Sequence, residues 1–317
     1  MANCGIIRSY TLRKTKGTIK LYAVWAKTKY KVAFYANGGS GSMSAQSMTY
    51  NKAAYLKKNT FKRTGYTFAG WAKTSTGSVA YADGKLVKNL TRTGGTVKLY
   101  AVWKIVPYKI HNGHKGVQLW EGGPYFAETN IGAGKPEDYG YYFWWGDTIG
   151  YKRVNDKWVA SDGSSSNFSF FCYNTPTYYK LNNSELQSEG WITSNGVLAP
   201  EHDAARAQWG SNWRMPTDSD LKNLMNKCTW TRTTKNGVYG YVVCGKGAYS
   251  GASIFLPAAG FGSGTSFLCA GTYGEYWSSV PGSIGGSWYL TFGSGGLYMF
   301  NVSRDGGHPV RPVLDVH

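Results

Sequence analysis

Carboxylates are almost missing from the first third of this sequence. Residues 1–106 hold 19 lysines and arginines against a single acid, Asp83, a balance of +18. Residues 107–317 hold 16 of each sign and are neutral. That step in charge sets an expected domain boundary near Val106-Pro107. A strongly basic segment suits polyanions, whether nucleic acid or wall polymers. No DNA- or RNA-binding motif accompanies it, so nucleic acid is not an expected partner. No apolar run approaches the ~18–20 residues that a membrane-spanning helix needs, so no membrane span is expected. The first 30 residues also lack a signal-peptide apolar core: Ile6 and Ile7 stand alone among polar neighbours.

Cysteine is scarce as well. Cys4, Cys172, Cys228, Cys244 and Cys269 are scattered, none in a C-x-x-C pair, which excludes the usual zinc and thioredoxin-like motifs. An odd count argues against a complete disulfide framework. Cys228 and Cys244 flank the turn Asn236-Gly237 at near-equal distances. They are read either as a cross-strand disulfide or as two buried thiols. Acids are sparse after Asp220, where only Glu275, Asp305 and Asp315 occur, so no multi-oxygen calcium site is expected there. His111 and His114 lie within His-Asn-Gly-His, where the glycine points to a solvated turn rather than a metal site. Gly260-Phe261-Gly262-Ser263-Gly264 lacks the lysine and the strand–loop–helix setting of a phosphate loop. No Ser-His-Asp arrangement can be proposed from the spacing. Neither a metal nor a cofactor is expected.

What is abundant is glycine, 42 residues, and aromatic side chains, 16 % of the chain. Together they favour loop-rich β structure with buried ring clusters. The length suggests two domains or three. Gly17-Thr18-Ile19-Lys20-Leu21-Tyr22-Ala23-Val24-Trp25 recurs as Gly95-Thr96-Val97-Lys98-Leu99-Tyr100-Ala101-Val102-Trp103, an offset of 78 residues. Residues 1–29 are therefore expected to be the remnant of a preceding repeat, and 30–106 a complete one. Val32, Phe34 and Tyr35 open a strand that ends at Asn37-Gly38-Gly39. Gly65-Tyr66-Thr67-Phe68-Ala69-Gly70-Trp71 forms a second strand. Val97, Leu99, Ala101 and Trp103 share one side of a closing strand. Phe34-Tyr35-Ala36-Asn37-Gly38-Gly39, Thr64-Gly65-Tyr66-Thr67-Phe68-Ala69-Gly70-Trp71 and Leu99-Tyr100-Ala101-Val102-Trp103 resemble the Listeria–Bacteroides, or internalin B-type, repeat. The resemblance implies a small β-grasp-like module of bacterial surface proteins, serving as spacer or stalk.

Residues 107–317 read differently. Tyr139-Gly140-Tyr141-Tyr142-Phe143-Trp144-Trp145-Gly146-Asp147 is a dense aromatic block suited to a core. A helix is expected over Glu201–Trp209. A second begins after Thr217, an N-cap with Asp220 as its capping-box partner, and buries Leu221, Leu224, Met225 and Cys228. Strands and glycine-rich loops follow, so the fold class expected is α+β. Gly140-Tyr141-Tyr142-Phe143-Trp144-Trp145-Gly146-Asp147, Trp213-Arg214-Met215-Pro216-Thr217, Leu256-Pro257-Ala258-Ala259-Gly260, Tyr276-Trp277-Ser278-Ser279 and Val310-Arg311-Pro312-Val313 occur in that order. As a set they resemble the variable proteins of diversity-generating retroelements, related to the formylglycine-generating enzymes. The resemblance implies a C-type lectin fold, a ligand-binding role without catalysis, and a C-terminal region rewritten by mutagenic reverse transcription.

Strand alternation bears on where a ligand would sit. Along Trp288–Gly293, Trp288, Leu290 and Phe292 face one side and Tyr289, Thr291 and Gly293 the other. In Leu297–Val302, Leu297 and Met299 face one side and Tyr298, Phe300 and Val302 the other. One face must be core, and the second is apolar too; exposed, it marks a binding surface, and buried, it marks a central strand. By resemblance, the variable ligand-binding positions are Phe267, Leu268, Cys269, Tyr273, Glu275, Gly282, Gly285, Gly286, Tyr289, Thr291, Gly293, Tyr298, Phe300, Val302, Asp305, Gly306 and His308. Trp277, Trp288, Asn301, Arg304 and Arg311 are expected to be structural. Gly285-Gly286-Ser287-Trp288 is similar to a motif of the formylglycine-generating enzymes, but their catalytic cysteine pair has no counterpart. The calcium-loop tripeptides Glu-Pro-Asn and Gln-Pro-Asp of sugar-binding C-type lectins are absent. The expected partner is an unidentified protein or glycan on a cell or phage surface. The expected location is extracellular, on a bacterial surface or, alternatively, a phage tail fibre. A calcium-independent glycan adhesin of fixed specificity is the first rival reading, and an oxidase of the formylglycine-generating class is the second.

Overall fold

The computed structural model describes residues 28–170, 177–210 and 212–315. The first repeat copy, Cys4 and Cys172 lie outside them. The chain divides into two compact units after Val106.

In the first unit, β1 (Lys29–Tyr35), β2 (Gln46–Thr49), β3 (Tyr66–Ala72) and β4 (Gly95–Ile105) form one sheet in the order β2-β1-β4-β3. β4 runs parallel to β1 and antiparallel to β3, with a bulge between Phe68 and Gly70. Alternation turns Tyr30, Val32 and Phe34 of β1 and Leu99 and Ala101 of β4 inward onto Trp71, which is wholly buried. Asn37 and Gly38 both take positive φ to turn the chain after β1, a conformation that Asn and Gly adopt at least cost.

The second unit is also built of strands. One five-stranded sheet joins Trp213–Arg214, Val313–Leu314, Tyr125–Ala127, His114–Gln118 and Tyr108–His111 in that order. A four-stranded sheet joins Lys157–Ala160, Tyr151–Val154, Tyr142–Phe143 and His308–Pro309. Two three-stranded meanders follow: β5 (Thr229–Lys235), β6 (Val238–Cys244) and β7 (Ser253–Pro257), then β8 (Gly274–Pro281), β9 (Gly286–Gly293) and β10 (Gly296–Ser303). β5 and β6 meet at Asn236-Gly237, both at positive φ, the pattern of a two-residue hairpin turn. Asn112-Gly113 makes the same kind of turn between His111 and His114, and His114 stacks on Trp209 at 3.7 Å between ring centroids. The His-Asn-Gly-His segment is thus a hairpin tip, and one of its imidazoles is packed against a ring.

The α+β expectation is overturned. Strands make up 42 % of the described residues and helices 11 %, with the strands arranged as several curled sheets. The first unit has no helix among its described residues. The second has, among its described residues, three short α-helices, α1 (Asn183–Ser188), α2 (Ala204–Trp209) and α3 (Asp218–Lys227). The apolar spacing over Glu201–Trp209 overstated its helix because Asp203 interrupts it. Asp203 is extended, and its carboxylate caps α2 by accepting from the Ala205 and Arg206 amides. α3 carries a complete capping box: Thr217 Oγ1 accepts from the Asp220 amide, and Asp220 accepts from the Thr217 amide.

Aromatic alternation feeds two separate cores from one block. Tyr142 and Trp144 turn to a ring cluster with Trp158 and Phe170, while Phe143 and Trp145 turn to Trp213 and Trp277. A third core, of Leu221, Leu224, Val243, Leu256, Leu290 and Phe292 among others, lies between α3 and the two meanders. Two buried arginines tie loops together without a carboxylate partner. Arg311 donates to Asn130 Oδ1 and to the carbonyls of Ala127, Glu128 and Phe255. Arg304 donates to the carbonyls of Gly286, Tyr178 and Leu181 and to Ser287 Oγ. Cys228 and Cys244 are free thiols, with Cys244 opposite Thr229 in the hairpin register, and burial pushes the Cys228 thiol up to about 12.

Candidate ligand-binding site

The meander β8-β9-β10 has two unlike faces, and pairing register decides what lies on each. Tyr276, Leu290 and Met299 form one cross-strand row, and Gly274, Phe292 and Leu297 the next; both rows face the core under α3. On the other face the rows are Glu275, Thr291 and Tyr298, then Trp277, Tyr289 and Phe300. Trp277 is buried at the inner end of its row. Tyr298 and Phe300 sit on the edge strand, 48 % and 51 % exposed, with ring centroids 5.6 Å apart. Single exposed rings are ordinary, whereas this pair forms an exposed apolar patch at one sheet edge.

This face holds a cavity of about 400 Å³, open to solvent. Eight of the seventeen residues proposed from sequence line it: Cys269, Tyr273, Glu275, Tyr289, Thr291, Gly293, Tyr298 and Phe300. Phe292, Gly295 and Gly296 complete the lining and were missed. Phe292 belongs to the core face and is almost wholly buried. Gly295 and Gly296 close the β9–β10 hairpin, a turn that the glycine run Gly293-Ser294-Gly295-Gly296 advertised. Tyr273 packs its ring where a side chain on Gly293 would stand. Tyr298 Oη donates to the Gly295 carbonyl at 2.6 Å, which holds its ring over the turn.

One carboxyl side chain, Glu275, lines the cavity. Glu275 Oε2 lies 3.3 Å from Nδ1 of His308, which is itself wholly buried beside Trp277, Tyr289 and Phe261. Burial with no nearby cation pushes the Glu275 carboxyl up to about 7. The same burial holds His308 down at about 3, so the contact joins two largely neutral groups near pH 6 rather than an ion pair. Desolvation and the Glu275 charge raise the Tyr289 hydroxyl to about 12.

The remaining sequence-proposed positions lie elsewhere. Phe267 packs edge-on to Tyr139, Tyr142 and Trp158, while its neighbour Leu268 is 40 % exposed. Gly282 and Gly285 lie in the β8–β9 loop and Gly286 opens β9, and none of the three lines the cavity. A side chain on Gly282 or Gly286 would collide with Asn301, whose amide donates to Ser283 Oγ at 2.7 Å. Val302 packs against the Trp277 core. Asp305, Gly306 and His308 are buried, because the chain turns inward after β10 and Trp144 Nε1 donates to the Asp305 carbonyl. Of the expected structural set, Trp277, Arg304 and Arg311 are buried, Trp288 is half-buried and Asn301 is exposed except for its clamp on the loop.

Among the described residues no group of three or more His, Cys, Asp or Glu side chains is placed to hold a metal ion, and no helix is long and apolar enough to cross a membrane. The model of the Listeria-Bacteroides repeat domain matches residues 30–102. Such repeats are typical of extracellular and surface proteins. No curated protein matches the chain. No solved structure matches it either.

Proposed function

We propose that this is a non-enzymatic ligand-binding protein displayed at a bacterial surface. Its binding face is the outer side of β8-β9-β10, and a diversity-generating retroelement rewrites the side chains there. The observation that supports this best is the cavity flanked by Tyr273, Tyr289, Tyr298 and Phe300 on a three-stranded sheet. Rings of this kind bring large contact area at low ordering cost, which is why they dominate interface energies. They project from paired strands, so the backbone beneath can stay fixed while the side chains change. Catalysis is disfavoured because the one exposed cysteine among the described residues, Cys269, has a thiol raised by burial and by the Glu275 charge, the reverse of an activated nucleophile.

Sequencing the gene and its flanks across related isolates tests the proposal. The expected result is a nearby reverse transcriptase gene and a template copy of the C-terminal region that differs at adenines. Substitutions should gather at codons of Tyr273, Glu275, Tyr289, Tyr298 and Phe300. A constant face with no such template would overturn it and leave an adhesin of fixed specificity.

A further inference from the structure

We propose that the cavity on β8-β9-β10 takes the cationic end of a lysine or arginine side chain presented by a protein partner. The inference rests on the binding-face reading above and adds the chemistry of the ligand. Five aromatic side chains, Tyr273, Tyr289, Phe292, Tyr298 and Phe300, line the space, together with one carboxyl group, Glu275. No lysine or arginine is among the lining residues.

Each half of that arrangement selects a cation. Aromatic faces carry negative potential and attract ammonium and guanidinium groups, most strongly when water is excluded. Glu275 lacks a compensating positive charge: its close polar neighbour is His308, whose burial disfavours the protonated form. An incoming ammonium or guanidinium supplies the missing countercharge, and a charge-assisted hydrogen bond to the carboxylate fixes its position. An anionic group would meet Glu275 and the ring faces unfavourably. A neutral apolar group would cover the rings but leave the Glu275 carboxyl without a cationic partner and bury it further, which disfavours its charged form. The volume of about 400 Å³ and the open mouth suit the end of one side chain, and the half-exposed rings at the rim would lie against the surface that carries it.

The test is a titration of the intact chain, carrying 13C-labelled tyrosine, with end-blocked tripeptides Gly-Lys-Gly, Gly-Arg-Gly, Gly-Leu-Gly and Gly-Glu-Gly. The lysine and arginine peptides should shift the Tyr273, Tyr289 and Tyr298 resonances and saturate, and the glutamate peptide should not. Glu275→Gln should weaken binding about tenfold, in keeping with loss of a charge-assisted contact. It should leave the resonances of the unliganded protein near their original positions, which guards against misfolding. Phe300→Ala, at a half-exposed edge position, should weaken binding independently. Equal binding of the leucine peptide, or an unchanged affinity in Glu275→Gln, would overturn the cationic ligand while leaving the binding face in place. Methylammonium binding as tightly as the lysine peptide would overturn the protein partner in favour of a free amine. Failure of every peptide and of methylammonium to move the tyrosines would overturn the binding face together with the inference.

Discussion

A carboxyl group kept from ionising in the lining of an open cavity is a feature that stability alone does not favour. Glu275 holds its proton to about pH 7 in the folded chain, against an ordinary value of 4.5. Between those values the folded state keeps a proton that the unfolded state has released, so stability falls as pH rises through that window. Above pH 7 the full cost is present, about 3 kcal/mol from the size of the shift. The groups facing Glu275 do not mask the effect. His308 stays neutral down to about 3, Tyr289 is raised to about 12, and the Cys269 thiol is raised as well. Glu275→Gln should therefore match the parent in denaturant stability at pH 4.5 and exceed it progressively up to pH 8; a constant difference across that range would contradict the account. The outward setting of Tyr298 and Phe300 was legible because alternation along a strand is local. The contact of Glu275 with His308 was not, since it joins β8 to the short strand after β10. Nor was the clamp on Asn301, which makes Gly282 and Gly286 packing positions although in sequence they read as loop tips.

Elements were legible where their signals lie within a few residues. The Thr217–Asp220 capping box is such a signal, and so is Asn236-Gly237 between β5 and β6. The cap is also a test of how far local bonding holds α3, which presents Leu221 and Leu224 to the core beneath β8-β9-β10. Thr217→Ala removes the acceptor for the Asp220 amide and should cost about 1 kcal/mol, read as a lower denaturation midpoint with an unchanged slope. A changed slope would mean that α3 unfolds separately from the core it covers. The α+β expectation failed at the level of sheets, not caps. Periodicity showed two helices and several strands, but the five-stranded sheet is assembled from segments as distant as Tyr108–His111 and Val313–Leu314. Strands of two or three residues, such as Trp213–Arg214, carry too few residues for any alternation to show. Much of the strand content therefore comes from tertiary pairing.

At the scale of the molecule, charge and chemistry are divided between the two units. Thirteen lysines and arginines fall within residues 28–106, and all but Arg63 are exposed, with Asp83 the one acid there. Among the described residues no ion pair forms within that unit. Instead Arg63 stacks on Tyr66 at 3.8 Å, and Lys73 and Lys98 lie over Tyr81 and Tyr35. Cations without carboxylate partners give a field that reaches about 10 Å at 0.1 M salt and is screened above it. The neutral second unit has no such field, and on the proposed reading its aromatic face would bind by burying area. Each unit also holds its own core, so residues 107–317 made alone should fold, with the near-ultraviolet circular dichroism of ordered tryptophans. The two kinds of binding should then separate by salt. The intact chain should be retained on a polyglutamate matrix at low ionic strength and released as salt rises, while residues 107–317 pass through. Retention of the second unit at low salt, or retention of the whole chain that salt does not weaken, would show that the basic repeat is not what holds polyanions.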